Sequence, residues 1–123
     1  DGALLGDTGN RLDALVNATG RWAAFVEPGS RPRRGGCEPE NLALVTWNDR
    51  TLVVVGLERA NALALVDVTD PRAPTVLEVV GIGGLGAAAR QAPEGIKVFT
   101  AEGRTFVLAG HEVSGTVGLF EVR

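Results

Sequence analysis

Two stretches of the chain repeat each other and decide its fold: PENLALVTWNDRTLVVVGLERANALALVDV at residues 39–68 and PEGIKVFTAEGRTFVLAGHEVSGTVGLFEV at residues 93–122. They align without a gap at a constant offset of 54 residues. The identical pairs are Pro39/Pro93, Glu40/Glu94, Thr46/Thr100, Arg50/Arg104, Thr51/Thr105, Val53/Val107, Gly56/Gly110, Glu58/Glu112, Leu65/Leu119 and Val68/Val122. Most other pairs in the apolar runs match apolar with apolar, which indicates two copies of one structural unit.

The repeats consist of short apolar runs separated by turn residues, a texture typical of strands. The predicted strands are residues 42–47, 51–57, 62–68, 75–80, 96–100, 106–109 and 116–122. The segments Asn48-Asp49-Arg50 and Glu102-Gly103-Arg104 suit tight hairpin turns. Several runs are apolar on both faces, which suggests sheets that are covered on both sides.

A β-rich repeat of this length with three or four strands is typical of a propeller blade. We therefore predict an all-β fold, a β-propeller fragment of about two four-stranded antiparallel blades behind a short N-terminal helix and loop. The predicted boundaries are a lead-in at 1–36, a first blade at 37–90 and a second, partial blade at 91–123. Because propellers usually have about four to eight blades, the remainder of the ring, from the same or another chain, is an expected partner.

The lead-in carries one helical pattern. Leu12, Leu15 and Val16 share a helix face, Asn10 is a candidate N-cap, and Gly20 suits a left-handed stop. A helix is therefore predicted over residues 10–18, followed by an apolar run at 22–26 and an arginine-containing loop at 28–36.

Composition excludes several classes of protein. The 123 residues carry a net charge of −3, so the basic surface that drives nucleic-acid binding is missing. No stretch has the ~20 consecutive apolar residues that a membrane-spanning helix needs. Cys37, the single cysteine, has no disulfide partner and is expected to be a small buried side chain. The chain begins without methionine or an apolar leader, as expected of a mature or cut product.

Paired glutamates are the candidate site. In antiparallel hairpins whose turns are centred near residues 49 and 103, Glu40 is predicted to lie opposite Glu58, and Glu94 opposite Glu112, with β-carbons ~5 Å apart. Such like charges repel and need a bound divalent cation, an arginine such as Arg59 or one from the 31–34 loop, a raised pKa, or backbone N–H donors.

Calcium is the natural cation for such a site because it takes carboxylate and carbonyl oxygens in irregular geometry, and Glu38 offers a third acid nearby. The alternative is structural: the glutamates hold strand ends together through arginines or backbone donors. His111, the single histidine, is interpreted as a strand-end residue beside Glu112. The glycine-rich segment at 81–86 lacks the lysine of a phosphate-binding loop.

Five motifs in order carry a family resemblance: Glu-Pro-Glu-Asn (38–41), Val-Gly-Leu-Glu-Arg-Ala-Asn (55–61), Asp-Val-Thr-Asp-Pro-Arg-Ala-Pro (67–74), Ala-Pro-Glu-Gly (92–95) and Gly-His-Glu-Val-Ser-Gly-Thr (110–116). From about Asp7 onward the chain resembles the C-terminal end of the propeller in the choice-of-anchor I family. The resemblance implies a bacterial protein exported to the periplasm or cell surface, or released, of a kind often described as alkaline-phosphatase-like.

A more distant similarity is to β-propeller phytases, whose channel-mouth carboxylates hold calcium ions that grip phosphate. By this similarity Glu40, Glu58, Glu94 and Glu112 would take those places, while Asn41 stands where the phytase pattern has glycine. A phytase-like site also needs basic residues from other blades.

Two functions are therefore expected. The first is a non-catalytic exported module that scaffolds an envelope assembly or binds a ligand, with envelope proteins as partners. The alternative is a calcium-dependent phosphoesterase in which the glutamates hold the metal and a metal-bound water attacks phosphate.

Overall fold

A computed structural model describes residues 2–20, 36–83 and 90–123. Its elements are α1 (Arg11–Ala18), β1 (Pro39–Trp47), β2 (Arg50–Leu57), β3 (Ala62–Asp67), β4 (Thr75–Gly81), β5 (Pro93–Ala101), β6 (Arg104–His111) and β7 (Thr116–Val122). The predicted β-rich fold with one short helix is confirmed. The apolar run at 22–26, the arginines at 31–34 and residues 84–86 of the glycine-rich segment fall outside the described residues.

The strands form two antiparallel sheets in sequential order. The first sheet has the order β1-β2-β3-β4, and the second sheet has the order β5-β6-β7. Within the described residues the second sheet has three strands, one fewer than the first sheet. This arrangement is consistent with a fragment of a β-propeller.

Both sheets begin with the same kind of hairpin turn. Asn48 and Asp49 have φ of 48° and 60°, and Glu102 and Gly103 have φ of 51° and 71°. Two successive positive φ values define the turn whose twist matches that of the flanking strands. The residues that flank the first turn, Trp47 and Arg50, pair directly across it.

The offset of 54 residues also holds in backbone conformation. Glu38 and Ala92 are equivalent and have φ of 48° and 56°. The Arg59 N–H donates to the Cys37 carbonyl at 3.3 Å, and 54 residues later the Val113 N–H donates to the Gln91 carbonyl at 3.1 Å. The structural repeat thus begins two residues before the aligned sequences.

The two sheets pack face to face through alternate side chains. The core between the sheets is formed by Val45, Leu52, Val54, Leu63, Val107 and Ala109, with Ile96, Val98, Phe120 and other half-buried side chains around it. The inner strand of each sheet takes part, since β1 contacts β5. The doubly apolar strands of the sequence are explained by this contact on one face and by a second core on the other.

Helix α1 covers the opposite face of the first sheet. Val16 of the helix is fully buried in a cluster that includes Val55, Leu57 and Ala62. The Asp13 carboxylate accepts the Cys37 N–H at 2.8 Å, which ties the helix to the residues before β1. Cys37 is buried as predicted, and burial, the largest cause, raises the pKa of its thiol to about 12.

The ends of α1 are close to the prediction. Gly20 has a φ of 70°, as expected for the left-handed stop. Asn10 occupies the N-cap position, but its side chain makes no capping hydrogen bond. Within the described residues, no helix is long and apolar enough to cross a membrane.

Candidate functional site

The five predicted acidic residues lie at the open ends of the two hairpins. We call this region the acidic end; it comprises Glu38, Glu40, Glu58, Glu94 and Glu112. The acids adjoin or lie within β1 and β2 in the first sheet and β5 and β6 in the second. Since β1 packs against β5, the two open ends are neighbours.

The strand register at the acidic end differs from the prediction by up to two residues. Glu40 was expected opposite Glu58, but the Glu58 N–H donates to the Glu38 carbonyl at 3.1 Å, so Glu38 is the residue across from Glu58. Likewise the Glu112 N–H donates to the Ala92 carbonyl at 3.0 Å. Two local features cause this difference. The turn is centred between residues 48 and 49 instead of on residue 49, and the strand register shifts by one further residue between Pro39 and Leu42.

Three carboxylates nevertheless converge on the first sheet. One oxygen from each of Glu38, Glu40 and Glu58 lies within 4.8 Å of the others. Glu58 is buried, with 8% of its surface exposed. Burial, the largest cause, and a hydrogen bond with the Glu38 carboxyl group raise the pKa of Glu58, although two arginines oppose this shift.

Those arginines flank the carboxylates on two sides. The Arg59 Nε lies 2.5 Å from Oε2 of Glu38. The Arg90 guanidinium donates a hydrogen bond to Oε1 of Glu58. Of the devices considered for offsetting the repulsion, the described residues show arginines and a raised pKa.

Arg90 is the site residue that sequence reasoning missed. It lies 32 residues from Glu58 in sequence. The one feature of the sequence that could have indicated a role for Arg90 is its position just before the Ala92-Pro93-Glu94 motif. The Asn61 side chain holds the same segment, because its Oδ1 accepts the Gln91 N–H at 2.8 Å.

The acidic end of the second sheet is organised differently. Glu94 is exposed, and the charge of Glu112, the largest cause, raises the pKa of Glu94, with burial and the charge of Glu40 adding to the shift. Within residues 2–20, 36–83 and 90–123, no arginine forms an ion pair with Glu94 or Glu112. The sequence explains this difference, since Ala92 and Val113 replace Glu38 and Arg59.

His111 lies at the end of β6 and is buried, with 6% of its surface exposed. Its Nδ1 lies 3.0 Å from Oγ1 of Thr116, and its Nε2 has no hydrogen-bond partner among the described residues. Burial lowers the pKa of the imidazole, which favours the neutral form. The His111 imidazole therefore lies at the end of β6 and is not part of the carboxylate cluster.

Two packed antiparallel sheets with an acidic end held partly by arginines define a β-sheet repeat module. The choice-of-anchor I domain model matches residues 1–71, more than half of the chain, and the chain belongs to this family. Membership implies a bacterial surface or secreted protein and a surface-associated module. The match spans α1 and the first three strands.

Neither the curated proteins nor the solved structures include a match to this chain. The similarity to β-propeller phytases therefore stays a prediction. The assignment of the second sheet to the same unit rests on the internal repeat, which the strand order and backbone conformations reproduce.

Proposed function

We propose that the chain is a non-catalytic part of an exported β-propeller that acts as a scaffold or ligand-binding unit at the cell surface or in the periplasm. The observation that carries this proposal is the pairing of the clustered carboxylates with arginines: Glu38 with Arg59, and Glu58 with Arg90. Carboxylates held in this way fasten strand ends, and the arginines compete with a cation for the paired oxygens.

The Arg90 pair supports a structural role because of where it lies. Arg90 leads into β5, whereas Glu58 follows β2. The pair thus links the two sheets at their acidic end, and Glu58 is buried there. Removing one partner of a buried pair leaves the other charge uncompensated, which is strongly destabilising.

The expected partners follow from the fold and the charge. The remainder of the ring covers the outer faces of the sheets, and envelope proteins bind the assembled module. The net charge of −3 and the exposed Glu40, Glu94 and Glu112 disfavour nucleic acid as a partner.

The second candidate function is a calcium-dependent phosphoesterase. The convergence of oxygens from Glu38, Glu40 and Glu58 within 4.8 Å favours it, because calcium takes carboxylate oxygens at ~2.3–2.6 Å. The donor set fits the ion chemically. Calcium would have to displace Arg59 or Arg90 to use the oxygens that they contact. When bound, the ion would polarise phosphate and activate a water.

A calcium titration of thermal stability separates the two functions. Extracellular calcium modules bind with dissociation constants of roughly 0.1–1 mM, so the titration extends to ~10 mM. A ligand that binds only the folded protein raises its stability. If the chain is a scaffold, its unfolding temperature should not change with calcium concentration. If the carboxylates form a metal site, the unfolding temperature should rise by several degrees.

The matched variants are Glu40→Gln/Glu94→Gln and Glu102→Gln. Glu102 lies in the β5–β6 turn, at the other end of the hairpin from the acidic end. A calcium response that Glu40→Gln/Glu94→Gln removes and Glu102→Gln retains would overturn the scaffold proposal. Calcium-dependent hydrolysis of a simple aryl phosphate with the same variant dependence would establish the alternative.

A further inference from the structure

We draw no further inference here: the strongest candidate, the apolar cavity of about 240 Å³ between the two sheets, lined by Leu63, Val80, Val107 and Phe120 among others, carries no proposal because nothing in the described residues shows what occupies it.

Discussion

Gly56 of β2 lies against the backbone carbonyl of Pro93 at the start of β5. A β-carbon at Gly56 would sit 3.1 Å from that oxygen and 3.5 Å from the side chain of Ile96. This close approach brings the inner part of the two sheets together beside the acidic end. Glycine is needed here for the space it leaves, since its φ is not in the left-handed region.

The first prediction tests this approach. Gly56→Ala should lower the free energy of unfolding by ~1–2 kcal/mol, because the Pro93 carbonyl belongs to a paired strand and must move for the methyl group to fit. Chemical denaturation measures the change.

Gly110→Ala is the matched control for Gly56→Ala. Gly110 is the equivalent position of the second sheet, and the nearest atom to its β-carbon position is 3.8 Å away. The substitution should be neutral or slightly stabilising, since alanine restricts the unfolded chain more than glycine. Equal losses at the two positions would contradict the argument from the contact between sheets.

The second prediction concerns the pH dependence at Glu94. Its pKa is raised in the folded state, chiefly by the charge of Glu112, above the ordinary value of 4.5. The folded protein therefore holds the Glu94 proton more tightly, and stability falls as the pH rises above about 4.5. Glu94→Gln should raise the unfolding temperature at pH 7 and change it little below about pH 4.

The measurement for Glu94 is thermal unfolding at a series of pH values in low salt. Glu102→Gln, at an exposed glutamate at the far end of the same hairpin, is the matched control. It should change the unfolding temperature by the same amount at pH 4 and at pH 7. A stabilisation by Glu94→Gln that is the same at pH 4 and pH 7 would show that charge repulsion is not its cause.

The fold could be predicted well from the sequence because the apolar runs and turn residues that indicate strands and hairpins occur in both copies of the repeat. The apolar runs gave the seven strands of the described residues, and the paired turn residues gave the β1–β2 and β5–β6 hairpins. These features depend on neighbouring residues, so the sequence order alone carries them.

The acidic end was predicted less accurately because it depends on geometry that residue spacing does not encode. A shift in register between Pro39 and Leu42 places Glu38 opposite Glu58, and no composition signal marks that irregularity. The Arg90 contact joins distant segments and has no counterpart in the first repeat, where position 36 is glycine. Alignment of the two copies therefore could not reveal it.

The third prediction concerns Asn61, which is fully buried with φ of 51°. Its Oδ1 accepts the Gln91 N–H, and its carbonyl accepts the Ile82 N–H at 3.0 Å. Asn61→Ala should cost ~2–4 kcal/mol, the sum of an unpaired buried amide and a left-handed backbone that alanine disfavours. Equilibrium denaturation measures the loss.

Two further variants separate the causes at Asn61. Asn61→Gly removes the hydrogen bond but accepts the backbone conformation, so it should cost ~1 kcal/mol less than alanine. Gly115, the equivalent residue in the second repeat, has φ of 65° and is exposed. Gly115→Ala should cost only the backbone part, and a loss there as large as that of Asn61→Ala would contradict this division.

The fourth prediction rests on an ion pair that each repeat contains. Arg50 pairs with Asp67 in the first sheet, and Arg104 pairs with Glu121 at 2.7 Å in the second. Hydrogen bonds from Arg104, the largest cause, and from Arg123 lower the pKa of Glu121 from 4.5 to about 2. Stability from this group is present above about pH 4.5 and is lost as the pH falls toward about 2.

Glu121→Gln should therefore flatten the acid side of the stability curve between about pH 4.5 and 2 and lower the unfolding temperature at pH 7. Because the arginines are exposed, the difference from native protein at pH 7 should shrink as salt is added. Thermal unfolding in low and high salt measures both effects. If stability falls at acid pH in Glu121→Gln as it does in the native protein, other carboxylates cause the acid sensitivity. Asp67, whose pKa is also lowered, is then the first residue to substitute.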